Sequence, residues 1–146
     1  MQPQVLLIHG FNVRDKGVGS VGELRGYLAS EGFPYHIIKY GFFSLWKTRT
    51  QNDNVAEQVA AFVKNAKAPV ILIGHSNGCT ISHLAVKYYG AEPIHCVFIN
   101  PALAVDTKLE GPSSYDVWHS PSDRPVKWAR FLPDSKWRPW GAMGAY

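Results

Sequence analysis

The chain has 146 residues, of which 46% are apolar and 18% charged, a globular composition with room for one sizeable core and not that of a disordered chain. No apolar run approaches the ~20 residues that a membrane helix needs, and Met1 to Ile8 has neither the basic region nor the long apolar region of a signal peptide. The net charge of +4 sits wholly in the last segment: up to Asp123 ten Lys/Arg face ten Asp/Glu, whereas Arg124, Lys127, Arg130, Lys136 and Arg138 face Asp134 alone.

The first predicted element is the apolar run Val5-Leu6-Leu7-Ile8, a strand buried on both faces that ends at His9-Gly10. Ser20 to Glu23 has the spacing of a capping box, with Leu24 and Leu28 following Val21 at helical intervals and Gly32 as the stop. Gly17, Gly19 and Gly22 before that helix are not followed by Lys-Ser/Thr, so they do not form a phosphate loop; they read as a mobile loop over the site. Tyr35 to Phe43 reads as a second strand. Asn52-Asp53-Asn54 offers helix caps, and Val55, Val59, Phe62, Val63 and Ala66 form the apolar stripe of a helix lying on a sheet.

Pro69 introduces Val70-Ile71-Leu72-Ile73, the most strand-like run of the chain. Asn77 to Tyr89 then reads as a helix with Ile81, Leu84, Ala85 and Tyr88 on one side and Gly90 as its stop. Ile94 to Ile99 is another buried strand. After an irregular stretch around Gly111-Pro112, a short strand is predicted near Tyr115 to His119. Buried strands alternating with amphipathic helices predict an α/β protein, a three-layer sandwich whose mostly parallel sheet carries helices on both faces. Residues 1–146 form one domain on this reading. His9-Gly10, Gly74 to Gly78, Asn100-Pro101 and Ser120 to Asp123 all follow strands, so they should share one edge of the sheet, where sites form in such folds.

The strongest chemical signal is Gly74-His75-Ser76-Asn77-Gly78 between a buried strand and a helix. A G-x-S-x-G turn is tight, and its glycines let helix and strand approach closely. It pushes the Ser76 hydroxyl out at a helix N-terminus, where backbone amides favour developing negative charge. Acyl transfer needs two or more amides aimed at the oxyanion. The amide of Asn77 supplies one, and the loop His9-Gly10-Phe11-Asn12 is placed to supply another through Phe11, with Gly10 allowing a close backbone approach.

In His9-Gly10-Phe11, in the pentapeptide at Ser76 and in the strand order between them, the chain resembles the α/β-hydrolase superfamily, particularly its small lipase- and esterase-like members. The resemblance covers about Val5 to Asp123. It implies a Ser-His-Asp/Glu triad, hydrolysis of an ester or related acyl bond in a small-molecule substrate, and no cofactor. It implies a fold trimmed at both ends, a minimal or truncated α/β-hydrolase fold that starts at the strand carrying the oxyanion loop. In the family the triad acid follows the nucleophile, and Asp123 in Ser120-Pro121-Ser122-Asp123-Arg124-Pro125 is placed for it. Asp106 and Asp116 compete for that role, and Asp123 before a proline-containing segment equally reads as a helix cap.

The family's histidine follows the acid, yet no histidine follows Asp123. His75 lies inside the elbow, and His9 reads as a structural part of the oxyanion loop. His83 lies seven residues along the helix from Ser76, about 10 Å away at the helical rise. His36 and His95 are expected at the opposite edge. His119 is the internal candidate for the base. The alternative is a base on a segment beyond Tyr146, which the unbalanced charge and the Gly-rich end Trp140 to Tyr146 favour. A second class of function is a non-catalytic α/β-hydrolase-like binding domain or an inactive fragment. Phe11, Phe42, Phe43, Leu45 and Trp46 are candidates to line an acyl pocket or to be plain core.

The basic segment 124–146 contains Trp128, Trp137 and Trp140, but its charges are spread singly, which argues against a nucleic-acid partner. Cys79 and Cys96 lie in no ligand or redox pattern. They read as small buried hydrophobes, with a reducing, cytoplasmic setting and no metal.

Overall fold

The computed structural model describes residues 1–10, 14–15, 17–41, 45–103, 107–109, 111 and 114–120, with the backbone alone over 45–49. Five strands form one sheet: β1 (Gln4–Ile8), β2 (Tyr35–Ile37), β3 (Val70–His75), β4 (His95–Ile99) and β5 (Ser114–Trp118). A 3-10 turn at Val21–Glu23 leads into α1 (Leu24–Ser30); α2 spans Leu45–Asn65 and α3 spans Asn77–Lys87. The strand order is β2-β1-β3-β4-β5 and every neighbouring pair is parallel. Parallel neighbours need crossovers, which bring a helix across one face of the sheet or the other.

The period-two alternation along each strand divides the apolar residues between two cores. Leu6, Ile8, Val70, Leu72, Cys96 and Phe98 face α2 and α3, packing with Val55, Val59, Val63, Ile81 and Ala85. Val5 and Leu7 face the other way, against Val21 and Leu28 of the first helical segment, with Ile71 and Ile73 beside them. Helices therefore lie on both faces, and the chain has the three-layer α/β architecture that its pattern predicts.

Several elements differ from the sequence expectation in their ends. The second strand stops at Ile37, where Ile38 N still bonds Leu7 O (3.0 Å) before the chain turns through Gly41 at φ 77°. Ser20 does not cap a helix; its hydroxyl donates to Gly17 O (3.3 Å), and the helix starts with a 3-10 turn. The glycine-rich stretch is tied by hydrogen bonds among its described residues. Asp15 accepts from Gly17 N (3.0 Å) and Gly19 N (2.6 Å), and Gly22 N bonds Gly17 O (2.7 Å). Finally, Asn52 to Asn54 do not start a helix, because α2 already begins at Leu45 and runs through them.

The carboxyl ends of β1, β3, β4 and β5 share one edge. The chain leaves β1 toward β2 on one side and reaches β3 on the other, so the strand order reverses between β1 and β3. Crevices for ligands open at such switch points. Gly10 and Ser76 follow the ends of these two strands.

Candidate active site

Ser76 is the single residue between β3 and α3 and has φ 54° and ψ −117°, a conformation that costs a non-glycine residue of order 1–3 kcal/mol. Its own backbone bonds hold it there. Ser76 N donates to Ile99 O (2.9 Å), while Ser76 O accepts from Cys79 N (3.1 Å) and Ala102 N (3.2 Å). The strand, the first turn of α3 and the loop after β4 thus over-determine the strained residue.

The two glycines of the pentapeptide make the turn sterically possible. A Cβ on Gly74 would lie 2.8 Å from Cys79 N, and one on Gly78 would lie 2.1 Å from Ile8 O. Gly74 admits the helix to its own strand, and Gly78 admits it to β1. The Cys79 side chain fills the space below, its thiol donating to Gly74 O (3.1 Å), and burial pushes its pKa well above the usual thiol range. Cys96 is likewise buried, its pKa raised to about 12. Both thiols stay protonated and apolar in character.

Gly10 closes the other side of the crevice. A Cβ there would stand 3.1 Å from Ser76 Cβ and 3.4 Å from Ser76 Oγ, so the bare backbone of the loop after β1 lies against the Ser76 side chain. The amides that open α3 have no carbonyl within the helix to bond. Asn77 heads that helix and is fully buried. The second expected oxyanion donor, Phe11, lies outside the described residues. Asp106, Asp123 and the segment 124–146 also lie outside them, as do Phe42, Phe43 and the side chains of Leu45 and Trp46.

Behind Ser76 is a polar cluster that the sequence reading missed. Asn52 of α2, 4% exposed, and Asn77 exchange two amide hydrogen bonds, Asn52 Nδ2 to Asn77 Oδ1 (2.8 Å) and Asn77 Nδ2 to Asn52 Oδ1 (2.9 Å). Beside it the Tyr40 hydroxyl donates to the carbonyl of His9, with that of Gly10 also in reach at 3.2 Å. Burial raises the Tyr40 pKa far above its ordinary value, so the hydroxyl keeps its proton. A signal for Asn52 existed: it stands three residues before Val55, in phase with the buried stripe Val55, Ala56, Val59, Ala60 and Val63, where a polar side chain needs a buried partner.

The histidines divide clearly. His9 is fully buried, stacks on Tyr40 (centroids 4.0 Å apart, 16° between planes) and hydrogen-bonds Gly10 O through Nδ1 (2.8 Å). His83 is buried on α3. His75 shares the sheet face of Ile71 and Ile73 by strand alternation. His36 is the middle residue of β2, where it meets Phe62 edge-on. His95 opens β4 at the far edge and bonds Ser114 Oγ (2.7 Å) and Asp116 Oδ2 (3.1 Å), so Asp116 is engaged away from Ser76.

His119 is the remaining histidine. His75 pairs with Ile99 and Ile99 with Trp118, so Ser76, Asn100 and His119 follow one another across the carboxyl edge. Two strand spacings separate Ser76 from His119, roughly 10 Å between backbones. Asn100 stands between them at φ 45° and holds the end of β5, its amide donating to Trp118 O (2.7 Å) and its side chain accepting from Ser120 N (2.6 Å). The His119 side chain is exposed and is not in contact with the Ser76 hydroxyl through any hydrogen bond among the described residues.

No protein-family model matches the sequence, nor does any curated protein. Solved structures do match the fold. One is a protein of Xanthomonas campestris pv. campestris assigned as a hydrolase of the alpha/beta superfamily, with 17% identity and a TM-score of 0.61 over 89% of this chain and 82% of that one. Another, assigned as a thioesterase, comes from Silicibacter sp. TM1040, with 18% identity and a TM-score of 0.63 over 98% of this chain and 66% of that one. A third is lysin B of Mycobacteriophage D29, with 12% identity and a TM-score of 0.55 over 81% of this chain and 64% of that one. The chain thus spans just under two thirds of the length of the last two. At these identities the likeness is one of fold. Among the described residues no helix is long and apolar enough to cross a membrane.

Proposed function

We propose that this chain, whose fold is that of the α/β hydrolases, is a serine hydrolase that cleaves an ester or related acyl bond in a small-molecule substrate. The observation that carries the reading is Ser76 itself. It is a non-glycine residue at φ 54° between a buried strand and a helix, with Gly10 against its hydroxyl. Chains hold such strain where the surrounding bonds over-determine it, and it clusters at reactive sites.

In this reading Ser76 Oγ attacks the acyl carbon. The amides of Asn77 and Phe11 receive the oxyanion that forms, and the acyl-enzyme is then released by water. Asp123 orients the base and stabilises its charged form. His119 is the candidate base within the chain, since it follows the edge strand on the same side of the sheet as Ser76. Reaching the hydroxyl requires its ring to turn inward across Asn100. The alternative, a histidine on a segment beyond Tyr146, keeps every other role unchanged. Nothing in the chemistry assigned to these residues calls for a cofactor or a metal.

The test is hydrolysis of a p-nitrophenyl ester by the chain and its variants. Ser76→Ala should remove the activity. Asp123→Asn should lower it by about 10⁴-fold, by leaving the histidine in the wrong tautomer. Loss in His119→Ala assigns the base to this residue; an unchanged low rate assigns it elsewhere. Hydrolysis that survives Ser76→Ala contradicts the reading.

A further inference from the structure

Among the described residues only two that are not glycine take a left-handed φ, Ser76 at 54° and Asn100 at 45°. A side chain in that region is strained and persists where surrounding bonds over-determine it. For Ser76 those bonds belong to the turn into α3. For Asn100 they lie in the way β4 and β5 end. The register pairs Ile99 with Trp118, so Asn100 stands opposite His119. A parallel ladder would here give two slanted bonds, one from the amide of Asn100 and one to its carbonyl. The first is made, Asn100 N to Trp118 O (2.7 Å). The second goes to the side chain instead, Ser120 N donating to Asn100 Oδ1 (2.6 Å). The side-chain oxygen stands in for a backbone carbonyl, and the pairing runs one residue past the end of both strands. Asparagine suits the place, since it tolerates a left-handed backbone and carries a short acceptor.

The two bonds grip the peptide groups on either side of His119. The same peptide unit also reaches the other way. Ile99 O accepts from Ser76 N (2.9 Å), and the next amide in that plane is the one that Asn100 gives to Trp118. A trans peptide points its C=O and N–H in opposite directions. One rigid plane therefore stands between the amide of Ser76 and the carbonyl before His119. The loop is fastened to α3 as well, with Ala102 N on Ser76 O (3.2 Å) and the Thr80 hydroxyl donating to Ala102 O (2.7 Å). Strand alternation puts His119 on the face of Tyr115, whose ring meets Phe98 edge-on at 5.6 Å in the core beneath α2 and α3.

We infer that Asn100 is a positioning residue that holds His119 in strand register, two strand spacings from Ser76, so that the imidazole can meet the hydroxyl across the edge of the sheet. This role rests on the serine-hydrolase reading with His119 as its base, and deepens it. Asn100 takes no part in the chemistry and acts through His119. The span of roughly 10 Å between the two backbones leaves little slack. A misplacement of about 1 Å at such a site costs on the order of 10²-fold in rate. Loss of the Asn100 side-chain bond should thus lower kcat and leave KM for a neutral ester nearly alone.

The experiment uses the full chain, p-nitrophenyl acetate as substrate, and a fluorophosphonate to count reactive serines. Asn100→Gly keeps the left-handed backbone without strain and deletes only the acceptor. Asn100→Asp keeps the acceptor. Exchange of the Ser120 amide should be about tenfold faster in Asn100→Gly than in the wild type, and close to wild type in Asn100→Asp. The glycine variant should lose about tenfold to hundredfold in kcat per titrated site, with KM changed less than about threefold, and the aspartate variant should recover most of the rate. In a His119→Ala background Asn100→Gly should cause no further loss, because the two changes act on one interaction. An equal loss with and without His119 would overturn the inference, as would equal Ser120 exchange in the wild type and Asn100→Gly. If His119→Ala keeps the wild-type rate while Ser76→Ala abolishes it, the serine-hydrolase reading stands and the role of Asn100 falls. A wild-type chain that neither binds the fluorophosphonate nor hydrolyses the ester removes that reading, and the positioning role with it.

Discussion

At the scale of single residues, the site depends on what is left out as much as on what is present. Gly10 lacks the atom that would crowd the Ser76 side chain. Gly10→Ala places a methyl 3.1 Å from Ser76 Cβ and 3.4 Å from Ser76 Oγ, and the backbone of Gly10 is not in the left-handed region, so the chain can accept it. The expected result is a fall of at least about tenfold in kcat/KM, since a small displacement of a reacting atom is costly in rate. The thermal midpoint should move by only a few degrees, roughly a 1 kcal/mol effect. A rate equal to wild type would show that the crevice between Gly10 and Ser76 is not where substrate reacts. His9 carries a pH dependence of its own. Burial holds its pKa below 6.5, outweighing the hydrogen bond to Gly10 and the charge of Asp15, which both push upward. The unfolded chain therefore takes up a proton at a pH where the folded chain does not. Stability from this group is complete above pH 6.5 and is lost as pH falls from there through the folded pKa. Urea midpoints measured from about pH 7.5 down to about pH 5 should fall, and the fall should be shallower in His9→Asn.

At the scale of elements, the approach of α3 to the sheet sets the geometry. Gly78 sits so close to β1 that a Cβ would meet Ile8 O at 2.1 Å and His9 O at 2.8 Å, both of them backbone atoms that cannot turn aside. Gly78→Ala should destabilise the fold by about 3 kcal/mol or more, at the upper end for an overpacked site, as read from urea unfolding. A loss below about 1 kcal/mol would mean that helix and strand separate easily, and the elbow would not be rigid. The strands and helices of this half were legible in the sequence because pattern and local chemistry agree there. Val70 to Ile73 is uninterrupted and apolar, glycines stand on both sides of Ser76, and Ile81, Leu84 and Ala85 recur at helical spacing, although Tyr88, read on the same side, stands 65% exposed beyond the end of α3. The misread starts have a common cause. Ser20 and Asn52 to Asn54 carry capping side chains, but such side chains bond whatever is nearest. Ser20 found Gly17 O, and Asn52 found Asn77, which is 25 positions away in the chain. The hydrogen bonds within the glycine-rich stretch were not legible, because their anchor is the Asp15 carboxylate accepting from two amides. The candidate nucleophile was visible in a pentapeptide; its supporting residues, Tyr40 and Asn52, were not, since their partners are set by tertiary packing.

At the scale of the whole molecule, the order β2-β1-β3-β4-β5 places the reversal of strand order between β1 and β3, and that one topological fact puts Gly10 and Ser76 side by side. The same edge carries Asn100 and His119 outward from Ser76, so the edge strand β5 delivers the chain to the edge that holds Ser76. The shallow hollow lined by Gln4, Phe62, Asn65 and Lys67 lies at the amino-terminal edge, the far end of the sheet, and takes no part in this chemistry. The central claim, that Ser76 is a nucleophile, is tested most directly by the intact mass of the chain after incubation with a fluorophosphonate, followed by peptide mapping. The account predicts one adduct per chain, on the peptide containing Ser76, absent in Ser76→Ala and absent after unfolding in urea. An unmodified chain, or an adduct that persists in Ser76→Ala, would contradict it.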